Sequence, residues 1–253
     1  MTIADAFHYD QETRDKITAS YPAHVRRARA MGLPAIGEGA IYPIEDEFIT
    51  CEPFDVPPHW MELGGLDFGW DHPTAAVRLV FNREEEMFYV TATYRKRQET
   101  PLYHANQLKG WGLHLPFAWG TEGLQTKLSD NPEQTFKMFR KHGLRMLDTH
   151  ATFAAGGVGV EQGVQEIFEL MQSGRFKVFA HLSDWFEEKN SYHRFKNDED
   201  KVAQIKKVHD DLMDATRYAW MMIRHAVPVS WRKRHGGRPR PATVKKRDTR
   251  DIF

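Results

Sequence analysis

From about residue 61 onward, apolar and polar positions along the chain follow two rhythms. Leu63 to Phe68 and Thr74 to Phe81 are short runs dense in branched and aromatic side chains, as buried strands are. The intervening "NREEE" reads as a turn, and "MFYVTATYRKR" from Met87 alternates as a half-buried strand does. Together they predict an antiparallel meander of two or three strands. The rhythm then lengthens. "TPLYHANQLKGWG" predicts a helix with Thr100 as its cap and Pro101 in the first position. "LPFAWG" is a short strand-like run, and "NPEQTFKMFRKHG" predicts a helix capped by Asn131, with Pro132 at its start and Gly143 as its stop. "LRMLDT" is another strand, "GVEQGVQEIFELMQSG" an amphipathic helix ending at Gly174, and "RFKVFAH" a further strand. "SDWFEEKNSYHRF" reads as a helix capped by Ser183, "KNDEDK" as a loop, and "HDDLMDATRYAWMMIRHA" as the last long helix. Strands that pair antiparallel first and then alternate with helices predict an α/β fold around a mixed sheet.

Residues 1–60 follow neither rhythm. "DQETRDKITASYPAHVRRARAMG" has helical character broken at Tyr21-Pro22, and "LPAIGEGAIYPIEDEFI" carries Gly, Pro and short apolar pairs. This segment reads as a linker with little core of its own that docks on another domain. Three regions result: a linker or docking segment at 1–60, a folded domain at 61–227 and a tail at 228–253.

Charge sharpens the picture of the tail. The 253 residues hold 35 Lys and Arg against 35 Asp and Glu, a formal net charge of zero. Yet from Arg224 the chain runs "RHAVPVSWRKRHGGRPRPATVKKRDTRDIF", in which Asp248 and Asp251 are the only acids. The rest is therefore acidic on balance, and the tail reads either as a flexible arm for a polyanion or an acidic partner or as a solvated, disordered terminus. Composition also excludes. A single cysteine, Cys51, rules out an intramolecular disulfide and a multi-cysteine zinc site, and fits a reducing compartment. No apolar run approaches the ~20 residues of a membrane helix. Neither GxxxxGK[ST] nor GxGxxG occurs, so no nucleotide-binding loop is signalled. The histidines show no zinc-type spacing.

Three acidic positions sit where a purely structural reading is awkward. Asp67 lies within the first strand, in "GGLDFGWDHPTAAVRLVF". Glu122 follows the end of a short apolar strand, in "FAWGTEGLQ". Asp210 and Asp211 open the last helix, with Asp214 one turn on. A helix cap accounts for one Asp and not for the cluster, in which Asp210 and Asp214 are four apart and Asp211 and Asp214 three apart. A strand acid, a strand-end acid and a helix acid brought together form an oxygen-rich site suited to hard divalent cations such as Mg²⁺ or Mn²⁺. Two such ions about 4 Å apart support phosphodiester hydrolysis by an activated water. Metal coordination would then offset the cost of an acid in an apolar strand.

The stretches "LGGLDFGWDHPTAAVRLVF", "FAWGTEGLQ" and "HDDLMDATRYAWMM", in this order around a meander, resemble the nuclease domain of the large terminase subunit of tailed bacteriophages. "SYPAHVRRARAMGLPAIGEGAIYPI" resembles the stretch that joins the terminase ATPase to its nuclease, so the resemblance spans roughly residues 13 to 226. It implies an RNase H-like fold, similar to Holliday-junction resolvases and integrases, and a two-metal DNA endonuclease that cuts concatemeric viral DNA during genome packaging. Asp67 takes the place of the family's first-strand Asp, bridging two Mg²⁺ or Mn²⁺ ions. Glu122 takes the second place, where relatives often have Asp in an "HDG"-like turn; its longer arm alters the metal spacing. Asp211 or Asp210 takes the third, with Asp214 in reserve, while Glu161 reads as a helix-start acid. The chain begins where the family's ATPase motor would end, and it reads as a nuclease fragment or the product of a split or truncated gene.

The same resemblance implies double-stranded DNA, a portal protein, a small terminase subunit and a terminase ATPase domain as partners, no membrane, and action in the host-cell cytoplasm. Lys127, Arg140, Lys141 and the tail residues Arg232, Lys233 and Arg234 are the candidate phosphate contacts, and binding through them would be insensitive to base sequence. His72 reads either as a group that orients a water or a phosphate or, the favoured reading, as a turn residue before Pro73, and Trp111, Trp119, Trp185 and Trp220 read as core. The "RYAWMMIR" end of the last helix reads as a buried face with snorkelling arginines. Two other readings are a non-catalytic DNA or portal docking module, and another RNase H-like nuclease such as a resolvase.

Overall fold

The structure, a computed structural model, describes residues 39–125, 133–195, 204–205 and 210–230, together with Thr13. The N-terminal helical stretch, the "KNDEDK" loop and the tail beyond Ser230 lie outside the described residues. Its centre is one mixed sheet. Strands β2 (Met61–Asp67), β3 (Thr74–Asn82) and β4 (Met87–Lys96) form the expected antiparallel meander, with Asp67 opposite Ala75. β5 (Pro116–Trp119) lies parallel to β2, and β6 (Arg145–Met146) parallel to β5. On the other side β7 (Phe176–Phe179) runs parallel to β4 and carries the edge strand β1 (Thr50–Cys51). Two short strands, β8 (Arg194–Phe195) and β9 (Gln204–Ile205), form a separate pair, and β10 (Val227–Pro228) joins β2 at Met61 and Glu62.

Helices cover both faces. α1 (Pro101–Leu108) and α2 (Thr135–Lys141) flank one face, where Leu66, Phe117, Trp119, Phe136 and Phe139 form a core. α3 (Val160–Gln172), α4 (Ser183–Ser191) and α5 (Asp211–Met221) contribute to the other face, over Ala75, Val77, Leu79, Val90, Phe176 and Val178. The alternation of β3 explains the division: Ala75, Val77 and Leu79 face one core and Ala76 the other. No helix among the described residues is long and apolar enough to cross a membrane.

Local signals explain most helix ends. The Thr100 hydroxyl accepts from the Tyr103 N–H at 3.2 Å, with Pro101 opening α1. Gly143 and Gly174 follow α2 and α3 at φ +89° and +74°, where a side chain would be strained. Two starts differ from expectation. α2 begins at Thr135, whose N–H and hydroxyl both donate to the Gln125 carbonyl at 3.1 Å; Asn131 and Pro132 lie outside the described residues. Ser183 is the first residue of α4 and not its cap; the cap position falls on the buried Leu182, whose carbonyl accepts from the Trp185 N–H at 3.1 Å. Trp119 and Trp185 are core, while Trp111 and Trp220 are partly buried.

The described part of the segment expected to lack a core contributes to one. Ile41, Tyr42, Ile44 and Ile49 are buried among α3, α4 and β7, and Lys189 of α4 donates to Asp46 at 2.8 Å and to the Ile44 carbonyl.

The crossing of α5 over β2 sets the geometry of everything that follows. A Cβ at Gly65 would lie 1.9 Å from the Ala215 carbonyl oxygen, so only glycine lets the helix backbone approach this closely. Asp67 is two residues on, so its side chain leaves the sheet on the same face, beneath the start of α5. Gly65→Ala should therefore displace the helix and cost about 1–3 kcal/mol by overpacking. Denaturant melts of the purified variant check this, and an unchanged midpoint would show that the helix does not need this contact.

Candidate metal centre

Parallel pairing of β2 with β5 sets Leu66 beside Trp119, so both strands end at the same edge of the sheet. Asp67 closes β2 there. Past β5, Gly120 leads into a short 3₁₀ turn (Thr121–Leu124) that carries Glu122 back toward Asp67. A Cβ at Gly120 would come within 2.3 Å of both Glu122 carboxylate oxygens, so this glycine makes the room for them. Asp211 and Asp214 come down from α5. These side chains line a cleft of about 700 Å³ with Asp71, His72, Arg97, Asp210 and Tyr218.

The acids differ in how they are partnered. Asp211 is 5% exposed; its Oδ1 lies 2.9 Å from His72 Nδ1, and its Oδ2 accepts from Arg95 Nη2 at 3.2 Å. Asp214 accepts from Arg217 one turn along, at 2.8 Å. Arg217 is itself 3% exposed, so this arginine does not snorkel as expected; the buried carboxylate provides a partner inside. Asp67 and Glu122 have no cationic partner among the described residues. Glu122 Oε2 accepts from the Tyr218 hydroxyl at 3.3 Å, whereas Oε1 is buried with no hydrogen-bond partner. Asp67, His72 and Asp211 each bring one donor atom within 4.8 Å of one another.

Burial, followed by repulsion from Glu122, Asp214, Asp211 and Asp210, holds the Asp67 carboxyl well above the usual range. Burial raises Glu122 too, and the Asp214 charge adds to it, against relief from hydrogen bonds with the backbone, Tyr218 and Asp67. Desolvated oxygens without a counter-ion and one orphaned carboxylate oxygen suit a hard divalent cation in both donor type and charge. The residues present thus fit the metals that the residue pattern leads one to expect.

Asp210 occupies the N-cap position of α5 without a side-chain cap bond and lines the cleft, but lies outside the close group of donors. The helix start is held instead by Glu188 of α4, whose Oε1 accepts from the Leu212 and Met213 N–H groups, the latter at 3.0 Å. Burial pushes the Glu188 carboxyl up to about 8, despite those bonds and the nearby Arg95. His72, Arg95, Arg97, Glu188 and Tyr218 are the participants that the residue pattern did not single out for these contacts. His72 alone left a signal, through its closeness to Asp67 in the chain. Glu161 sits in the first turn of α3 and pairs with Arg194 at its rim, away from the cleft. Of the basic residues expected to meet DNA, Arg140 is tied to the Met146 and Leu147 carbonyls and to Asp148, and Lys141 is exposed at the end of α2. Neither lines the cleft. Lys127, Arg232, Lys233 and Arg234 lie outside the described residues.

A model of the terminase RNase H-like domain family matches residues 64–223, which span the sheet, the cleft and α5. The chain belongs to the terminase RNase H-like domain family. A second model, of the N-terminal part of T4-like terminase large subunits, matches residues 1–48. The large terminase subunit of Salmonella phage P22 is 41% identical over 226 residues, covering 89% of this chain and 44% of that protein. This terminase chain thus spans less than half of the curated relatives it matches. The P22 large terminase nuclease domain superposes with a TM-score of 0.69 at 37% identity, covering 78% of this chain and 97% of that domain. The large terminase nuclease of the thermophilic phage G20c with bound magnesium shares the fold at TM-score 0.51 and 13% identity, covering 73% and 97%. The chain is therefore a phage terminase nuclease domain of mixed α/β, RNase H-like fold, and the resolvase reading falls away.

Proposed function

We propose that this terminase domain is a divalent-metal-dependent endonuclease that cuts concatemeric viral DNA during packaging. The observation that carries this is the convergence of Asp67, Glu122 and Asp211, from three separate elements, on one cleft with an orphaned buried carboxylate oxygen. The G20c nuclease with bound magnesium, a fold relative, is consistent with it. Asp67, Glu122 and Asp211, with Asp210 in support, would hold two Mg²⁺ or Mn²⁺ ions. When bound, such ions supply an activated water and neutralise charge on the phosphate. The protein's own part is positional. Tyr218 orients Glu122, the Asp214–Arg217 pair fixes the first turns of α5, and the Asp67 carboxylate stays desolvated until charge arrives. No side chain need act as nucleophile.

Arg97, on the cleft wall, would meet a DNA phosphate, and the basic residues of the tail would add contacts of the same kind; such contacts position the duplex without reading bases. Residues 1–60 would form the junction with a motor domain, docked on the nuclease through Ile41 to Ile49, residues 61–227 the nuclease, and residues 228–253 a basic arm. The portal, the small subunit and the motor are the expected partners, in the host-cell cytoplasm. The test is nicking and linearisation of supercoiled plasmid. Cleavage is expected with Mn²⁺ or Mg²⁺ and none with EDTA. A folded chain inert across metals and salt would favour the docking-module reading.

A further inference from the structure

Arg95 stands in the same cross-strand row as Asp67: it pairs with Ala75, which pairs with Asp67. Its guanidinium reaches up between two buried acids. Nη2 donates to Asp211 Oδ2 at 3.2 Å, and Nη1 lies 3.7 Å from Glu188 Oε2. That distance is too long for a hydrogen bond. Glu188 Oε2 is buried, in a residue only 2% exposed, and has no hydrogen-bond partner among the described residues, while its sister oxygen is fully used by the start of α5. An unsatisfied carboxylate oxygen at such depth is costly unless it has a second use. Asp211, conversely, has both oxygens engaged, by His72 and by Arg95. A divalent cation at Asp211 would be repelled by the guanidinium already on that carboxylate, so metal binding there favours a shift of Arg95 away from it.

We propose that Arg95 is a counter-cation shared between the two acids, and that Glu188 is the positioning residue that receives Arg95 when Asp211 takes up a metal ion. Glu188 then has two tasks. One oxygen fixes the helix that carries Asp211, and the other offers the displaced guanidinium a charged seat less than 4 Å away. Without that seat, Arg95 stays on Asp211 and competes with the metal. The inference rests on the reading of the cleft as a metal site.

The test is Mn²⁺ binding by titration calorimetry on the parent chain, Glu188→Gln, Arg95→Gln and the double variant, all at one pH. Glutamine keeps the acceptor for the two helix N–H groups but offers Arg95 no charge. Glu188→Gln is expected to weaken Mn²⁺ about 10-fold, the size of effect seen when a ligand loses its supporting partner. Arg95→Gln alone should bind at least as tightly as the parent, because the competitor is gone. The double variant should return to within about 2-fold of the parent, a strong non-additivity. A purely structural helix cap would show no such rescue. The proposal is overturned if Glu188→Gln binds like the parent, if Arg95→Gln fails to restore it, or if Arg95→Gln alone loses affinity. The last outcome can be read even if Glu188→Gln does not fold. A folded parent that binds no Mn²⁺ overturns the metal site itself, and this inference with it.

Discussion

Asp67→Asn should lower plasmid cleavage by about 10³-fold or more, beyond the 10–100-fold typical of residues that only support a ligand. Asparagine matches the carboxylate in size, so the core of β2 is not repacked. It removes one negative charge from the one acid that faces Glu122, Asp214, Asp211 and Asp210 together. The same substitution should raise the thermal stability of the metal-free protein near pH 8, because the charge removed is desolvated and unpaired. This opposition distinguishes the site reading from a structural one. A structural Asp67, held in place for a turn, would lose stability on substitution and keep its activity. Cleavage and melting of the same preparation check both halves. Retained cleavage in a folded Asp67→Asn would remove Asp67 from the centre of the site.

The second large effect is a dependence on pH that metal reverses. Asp67, Glu122 and Glu188 all have carboxyl pKa values in the folded chain above their ordinary ones, Glu188 at about 8. A raised carboxyl holds its proton more tightly folded than unfolded. Its contribution is fully present below the unfolded value, 3.8 for Asp67 and 4.5 for the two glutamates, and is lost as pH rises through the folded value. The metal-free domain should therefore melt lower at pH 8.5 than at pH 5.5. Each tenfold difference in proton affinity between the folded and unfolded chain is worth about 1.4 kcal/mol. Discounted for partial solvation, and at roughly 2–4 °C per kcal/mol, the fall is about 10 °C. Millimolar Mg²⁺ binds the ionised cluster, so it should recover much of the loss at pH 8.5 and little at pH 5.5. Scanning calorimetry at the two pH values, with Mg²⁺ or EDTA, decides this. A metal-free melting point that rises with pH, or an Mg²⁺ effect equal at both, would contradict the electrostatics of the cleft.

The sheet and most helix ends were legible because their causes are local. Strand alternation, the Thr100-Pro101 start and the glycines at 143 and 174 act within a few residues of where they are read. Asp67 and Asp211 were legible as anomalies, acids in places where apolar packing or a single cap would have sufficed. Glu188 was not. In "SDWFEEKNSYHRF" it looks like any solvated helix acid, and its meaning lies in two N–H groups 24 and 25 positions further on. Arg95, in "TYRKR", looks like the charged end of a half-buried strand. Its placement between two acids follows from α5 crossing β2 and β3 with α4 packed against it, a matter of topology that no window of sequence contains. The same holds for Ile41 to Ile49, whose apolar pairs are too short to signal a core until β7 and α4 supply the rest of it.

The close passage of α5 over Gly65 also bears on how such a chain can change over generations. Successive β2 side chains leave the sheet on opposite faces, so inserting or deleting one residue between Gly65 and Asp67 would turn the carboxylate away from α5, toward the face that holds Phe117 and Trp119. Length variation there is barred whatever residue is added. The turn at Asn82 to Glu86, at the far end of the meander, faces no such limit. Descendants of this domain should therefore vary in length at that turn while keeping the two-residue step from glycine to aspartate fixed, even where most other side chains have been replaced.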